Sequence, residues 1–165
     1  MRRVDPEVPG PGQESVWDYP RPPRVETSSE TIEIRLGGQV IARTDRSLRV
    51  LETSHPPAYY LPVDDFVPGV LRPIGGSTFC EWKGVANYFD LVTPTATATR
   101  AAWTYADPTG GFDGIRDHVS VMPGAVDACL VDGEVVRAQQ GGFYGGWITD
   151  RVTGPFKGGP GSHGW

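Results

Sequence analysis

Residues 31–44 read Thr31-Ile32-Glu33-Ile34-Arg35-Leu36-Gly37-Gly38-Gln39-Val40-Ile41-Ala42-Arg43-Thr44. Ile32, Ile34 and Leu36 fall on one side of an extended chain and Thr31, Glu33 and Arg35 on the other, the period-two pattern of a half-buried strand. Gly37-Gly38 supplies the positive φ values of a tight hairpin turn, so Gln39–Thr44 returns as the partner strand. The same reading extends outward. Arg46–Glu52 predicts a third strand with Leu48, Val50 and Glu52 on one face. Ala58–Leu61 reads as a brief strand and Val63–Phe66 as one helical turn. Thr78–Trp82 and Val85–Val92, linked at Lys83-Gly84, are followed by Thr99–Tyr105 and His118–Met122. Asp107–Gly114 carries loop residues. Val126–Val131 and Glu134–Arg137 are joined by Asp132-Gly133, the strongest short hairpin signal in the chain. Short strands at roughly ten-residue spacing, with no amphipathic helix, predict an all-β domain of antiparallel sheets in two layers around one core.

Composition agrees. The chain has 165 residues, suited to a single core, and its 22 glycines and 16 prolines argue against long helices. Apolar residues make up 38% and charged ones 21%, too hydrophobic for a disordered chain. A net charge of −5, with no basic cluster beyond residues 1–3, gives nucleic acid little attraction. No apolar run approaches the roughly 18 residues of a membrane span, and none follows the basic start as in a signal peptide. The expectation is a cytoplasmic protein with neither nucleic acid nor membrane as partner. Cys80 and Cys129 form no C-x-x-C pair, and a structural disulfide is not expected.

The flanks read differently from the centre. Residues 1–30 carry prolines 6, 9, 11, 20, 22 and 23 and predict an extended arm, its second half anchored by Val16, Trp17 and Tyr19. Residues 31–137 make the β domain. In 138–165 the alternation stops, and the last 25 residues hold nine glycines beside Phe143, Tyr144, Trp147, Phe156 and Trp165. Glycine lets backbone lie close to a surface that aromatics anchor, so this tail is expected to dock on the domain.

Glu52 to Tyr60 gathers a carboxylate, two hydroxyls, an imidazole and two phenols around Pro56-Pro57, and is the leading candidate site. Glu52, His55 and Tyr60 are the candidate catalytic residues: an imidazole titrating near neutrality beside a carboxylate suits general acid–base work. The alternative is that Glu52 and His55 satisfy each other at a strand end. Tyr59, Cys80, Lys83, Trp103 and Tyr105 are the candidate ligand-binding residues, and Trp82 and Tyr88 are further aromatics for a pocket or for the core. Cys80 reads as a thiol activated by His55 or as a small hydrophobe. Lys83 reads as a contact for an anionic group, as an amine if desolvated, or as a surface lysine closing a turn. No pair among His55, His118, His163, Cys80 and Cys129 has a metal-motif spacing, so neither metal nor cofactor is expected. Gly154-Pro155-Phe156-Lys157-Gly158-Gly159 lacks the order of a phosphate-binding loop.

Glu52-Thr53-Ser54-His55-Pro56-Pro57, Tyr59-Tyr60-Leu61-Pro62, Cys80-Glu81-Trp82-Lys83-Gly84, Ala102-Trp103-Thr104-Tyr105 and Val131-Asp132-Gly133 together resemble the bacterial family catalogued as domain of unknown function 427, in order and in spacing. The resemblance implies a β-tent-like fold in which two antiparallel sheets lean together at a steep angle. It carries no established catalytic residue. Some relatives are labelled nucleotidyltransferases, yet Gly76-Ser77 here is followed by Thr78-Phe79-Cys80-Glu81-Trp82 and not by paired metal-binding carboxylates. The zinc held by two C-x-x-C pairs in other β-tent proteins has no ligands here.

The functional expectation is a domain that binds an unidentified organic small molecule near His55, with or without acid–base catalysis. The alternative is a non-catalytic interaction module whose apolar ends dock on a partner protein or form a homodimer.

Overall fold

The computed structural model describes residues 4–142 and 144–165, so Phe143 and residues 1–3 lie outside the described residues. Its regular structure consists of strands and single 3₁₀ turns, and among the described residues no helix is long and apolar enough to cross a membrane. Two antiparallel sheets dominate. The larger has seven strands in the order Arg24–Thr27, Leu48–Leu51, Ala58–Pro62, His118–Val121, Thr97–Thr104, Gly84–Val92, Leu71–Cys80. The smaller has four, in the order Glu134–Val135, Ala128–Val131, Ile32–Leu36, Gln39–Thr44. This is the all-β, β-tent-like arrangement that the sequence and the resemblance predict.

The two hairpins of the smaller sheet have the turn chemistry read from sequence. Gly37 and Gly38 take φ of 61° and 78°, and Asp132 and Gly133 take 49° and 83°. Two successive left-handed residues match the right-handed twist of the flanking strands, with Leu36 opposite Gln39 and Val131 opposite Glu134. Val63–Asp65 is the single helical turn that was expected.

Alternation sorts the side chains into two packed faces. Ile32, Ile34 and Ile41 of the small sheet meet Tyr59, Leu61, Val119 and Val121 of the large one in the main core. The intervening residues of the large sheet, Val50 and Tyr60, face the opposite way and join Ala86, Tyr105 and Ile115 in a second cluster. The large sheet is thus covered on one side and half covered on the other, which leaves room for a cleft.

Strand boundaries depart from expectation where proline and glycine hid the pattern. Arg24–Thr27, read as part of an arm, pairs with Leu48–Leu51 at one edge of the large sheet. Pro22 and Pro23 precede the paired residues, so no ladder donor is lost. At the opposite edge the strand expected from Thr78 begins at Leu71. Its register shifts between Pro73, which pairs with Phe89, and Ser77, and this irregularity absorbs Ile74, Gly75 and Gly76. An outer edge is where a strand tolerates a proline, since the missing N–H faces solvent. The strand expected as Glu134–Arg137 is divided into Glu134–Val135 and Arg137–Ala138, and the second part pairs with Trp147–Ile148 of the tail.

Both ends of the chain are drawn onto the large sheet. Glu14–Ser15 runs parallel to Val152–Thr153, joining arm to tail. Beneath them lies Arg49, whose side chain has no exposed surface. It pairs with Glu14 at 2.5 Å and Glu26 at 3.0 Å and donates to the Tyr19 hydroxyl at 3.2 Å. Arg151 extends the set, reaching Glu30 at 2.9 Å and Glu14 at 3.5 Å, while the Tyr59 hydroxyl donates to Glu30 at 2.9 Å. Burial opposes ionisation of Glu14, but the hydrogen bond and charge of Arg49 outweigh it and hold the carboxyl below its ordinary range.

Removing both carboxylates from Arg49 leaves a buried guanidinium without a counter-charge. The double substitution Glu14→Gln with Glu26→Gln is therefore expected to cost about 3 kcal/mol or more of stability. Urea unfolding followed by tryptophan fluorescence measures it, and a loss below about 1 kcal/mol, the value of an exposed pair, contradicts the account.

Candidate functional site

The half-covered face of the large sheet and the returning tail enclose a cleft of about 530 Å³. Glu52 and His55 approach it from the loop between Leu48–Leu51 and Ala58–Pro62. Tyr60 and Trp103 rise from the sheet, Cys80 ends the edge strand, and Lys83 comes from the turn that follows it. Gln139, Tyr144 and Lys157 close it from the tail side. Its size and mixture of aromatic and polar groups are those of a small-molecule site.

Seven of the eight candidate residues line this cleft: Glu52, His55, Tyr60, Cys80, Lys83, Trp103 and Tyr105. Tyr59 does not. Its ring packs 5.0 Å from that of Trp147 and its hydroxyl donates to Glu30, both on the core face. Adjacent residues of a strand point to opposite faces, so Tyr59 and Tyr60 cannot serve one site. Trp82 and Tyr88 also reach the cleft.

The loop holding His55 is fixed by both ends of the chain. Ser54, at a φ of 71°, donates its N–H to Val16 O at 3.0 Å and accepts from the Lys157 N–H at 2.8 Å. Gln139 then orients the imidazole. Its Oε1 accepts from the Gly146 N–H at 3.1 Å and its Nε2 donates to Lys157 O at 2.6 Å, which fixes the amide orientation. The same Nε2 lies 3.4 Å from His55 Nδ1, which must accept. The proton of the neutral ring therefore sits on Nε2, 3.5 Å from Glu52 Oε2. Glu52 also meets Arg21 at 3.4 Å, and the Tyr144 ring stacks edge-on against His55 at 5.1 Å.

This environment keeps His55 uncharged. Burial, reinforced by the positive charges of Lys157, Arg21 and Lys83, pushes its pKa down to about 4. Lys83 behaves oppositely: burial disfavours its charge, but Tyr60, Cys80 and Glu52 outweigh burial and raise its pKa, so it stays an ammonium. Desolvation therefore does not turn it into the neutral amine considered as one of its roles. The Trp103 indole N–H donates to the Tyr60 hydroxyl at 3.1 Å, and Tyr105, hydrogen-bonded to Cys80, is held protonated chiefly by burial. Cys129 lies in the core, where burial pushes its thiol up to about 12. Among the described residues no group of three or more His, Cys, Asp or Glu side chains is placed to hold a metal ion.

The tail and the arm supply what the sequence reading missed. Gln139 and Lys157 line the cleft, and Arg21 reaches Glu52 beside it. Lys157 stands in the glycine-rich segment rejected as a phosphate loop. Gly145 shows why glycine is required: a Cβ there would lie 2.1 Å from the Trp103 ring.

The sequence profile of a known family matches residues 24–132. The chain belongs to the family described as Domain of unknown function (DUF427). No curated protein sequence matches it. The DUF427 match contains the sheet wall of the cleft and the loop with Glu52 and His55, whereas Gln139, Tyr144, Gly145 and Lys157 lie beyond it. In this member, the cleft is completed by residues outside the family match.

The depressed pKa of His55 has a definite sign in stability. Between about pH 6.5, the value in an unfolded chain, and about 4, the unfolded state binds a proton that the folded state does not. Stability therefore falls as pH drops through that window, by at most about 3 kcal/mol from this residue, and the contribution is constant above it. His55→Gln is expected to flatten this fall in urea titrations from pH 7 to 4. Parallel pH profiles for the variant and the parent contradict the assignment.

Proposed function

We propose that this protein binds an organic small molecule with a flat apolar body in the cleft between the large sheet and the tail. The observation that carries the reading is the convergence of Tyr60, Trp82, Trp103 and Tyr105 with polar groups from three separate segments around one 530 Å³ space. The aromatic faces offer apolar area at low entropy cost, while Glu52, Lys83 and Lys157 offer charges for orientation.

Binding is favoured over acid–base catalysis by the state of His55. A neutral ring whose Nδ1 accepts from Gln139 and whose Nε2 faces Glu52 has no free lone pair for a substrate proton. In this reading His55 and Gln139 hold the wall of the site. The interaction-module reading draws less support, because Trp17, Trp147, Val152 and Phe156 pack within the chain itself.

A ligand-observed NMR screen of aromatic fragments tests the proposal. Fragments that bind the parent protein are expected to lose at least tenfold in affinity with Trp103→Leu, whose fold is checked by its melting temperature. A screen without hits, or hits that bind both proteins equally, contradicts it.

A further inference from the structure

Lys83 is half-buried in the cleft, and among the described residues its ammonium has an aromatic ring beside it but no counter-charge. Its ammonium sits 5.5 Å from the centroid of the Tyr105 ring and, among the described residues, makes neither a hydrogen bond nor an ion pair. Every other cation near it is engaged or lies at the rim. Arg21 meets Glu52 and the Thr53 carbonyl, and Lys157 donates to Trp165 O at 3.0 Å. Arg100 lies over the Tyr88 ring at 4.0 Å, exposed at the mouth.

Glu52 acts on Lys83 at longer range, but among the described residues no carboxylate forms an ion pair with it. Glu52 lies within ion-pair distance of Arg21 and His55, and Glu81 is exposed and not within ion-pair distance of Lys83. The cleft therefore presents a positive point charge set against aromatic rings, in a protein whose net charge is −5. A cation held over an aromatic face retains part of its attraction for an anion, and in a partly desolvated site that attraction is stronger than in water. The neutrality of His55 fits the same field.

We infer that the cleft selects an anionic ligand, a carboxylate or phosphate whose charged group pairs with the Lys83 ammonium while its flat apolar body lies along Tyr60 and Trp103. This rests on the small-molecule reading above and adds the charge class of the ligand. Lys83 forms no covalent bond in it. Arg100, at the mouth, adds a second positive charge that favours entry of the anion.

Three probes of one shape separate the possibilities: 2-naphthoate, 2-naphthyl phosphate and the neutral 2-naphthamide. Each is titrated into the ¹⁵N-labelled 165-residue chain while the indole N–H signals of Trp82 and Trp103 are followed. At least one anion is expected to bind tenfold or more tightly than the amide, and which anion does so tells carboxylate from phosphate. In Lys83→Met the advantage is expected to fall below twofold, and in Lys83→Arg to persist, with retained indole dispersion confirming both folds. Equal binding of anions and amide, or an anion preference unchanged in Lys83→Met, overturns the inference and leaves the small-molecule reading standing. If none of the three moves either indole although aromatic fragments bind the cleft, the inference again fails alone. If no fragment binds either, both fail.

Discussion

A guanidinium with no exposed surface is costly to leave without counter-charges, and Arg49 obtains its partners from parts of the chain far from its own strand. Glu14 comes from the arm and Glu26 from the edge strand, while Arg151 of the tail shares Glu14 and adds Glu30. One buried charge thus ties the two ends of the polypeptide to the large sheet. The parallel pairing of Glu14–Ser15 with Val152–Thr153 follows from that closure, and so does the path that returns the tail beside the loop of His55.

The cleft is a by-product of this arrangement. Seven strands make a sheet with two faces, but only one is fully covered by the four-stranded sheet. The tail covers part of the other, with Trp147 inserted into the core and Gly145 lying against Trp103. What stays open is bounded by aromatics and by a few charges. The electrostatics there have a consistent direction: a protonated Lys83, an uncharged His55 and a Glu52 engaged by Arg21 leave positive charge facing the space.

Much of the fold was legible because its signals are local. The Ile32-Glu33-Ile34-Arg35-Leu36 alternation and the Gly37-Gly38 and Asp132-Gly133 turns need no knowledge of the rest of the chain. The strand from Leu71 was not legible, since Pro73 and Gly75-Gly76 look like a loop until the sheet edge accommodates the proline and a register shift the glycines. The polar cluster around His55 was visible because Pro56-Pro57 confines it to one segment. The error at Tyr59 came from treating neighbours in sequence as neighbours in space, when a strand sends them to opposite faces. Gln139 and Lys157 carried no signal at all: their role depends on where the tail returns, which is set by Arg49 and Arg151, and Gln139 meets His55 across 84 residues of chain.

The central claim is that the tail is a fixed wall of the cleft and not a loose extension. Native-state hydrogen exchange measures this at three amides: Gly146, which donates to Gln139 Oε1, Trp147, which donates to Pro57 O, and Lys157, which donates to Ser54 O. The account predicts protection within about tenfold of that in the strands Thr97–Thr104 and His118–Val121. Exchange at the rate of an unstructured peptide at these three positions, with the strands still protected, would contradict it.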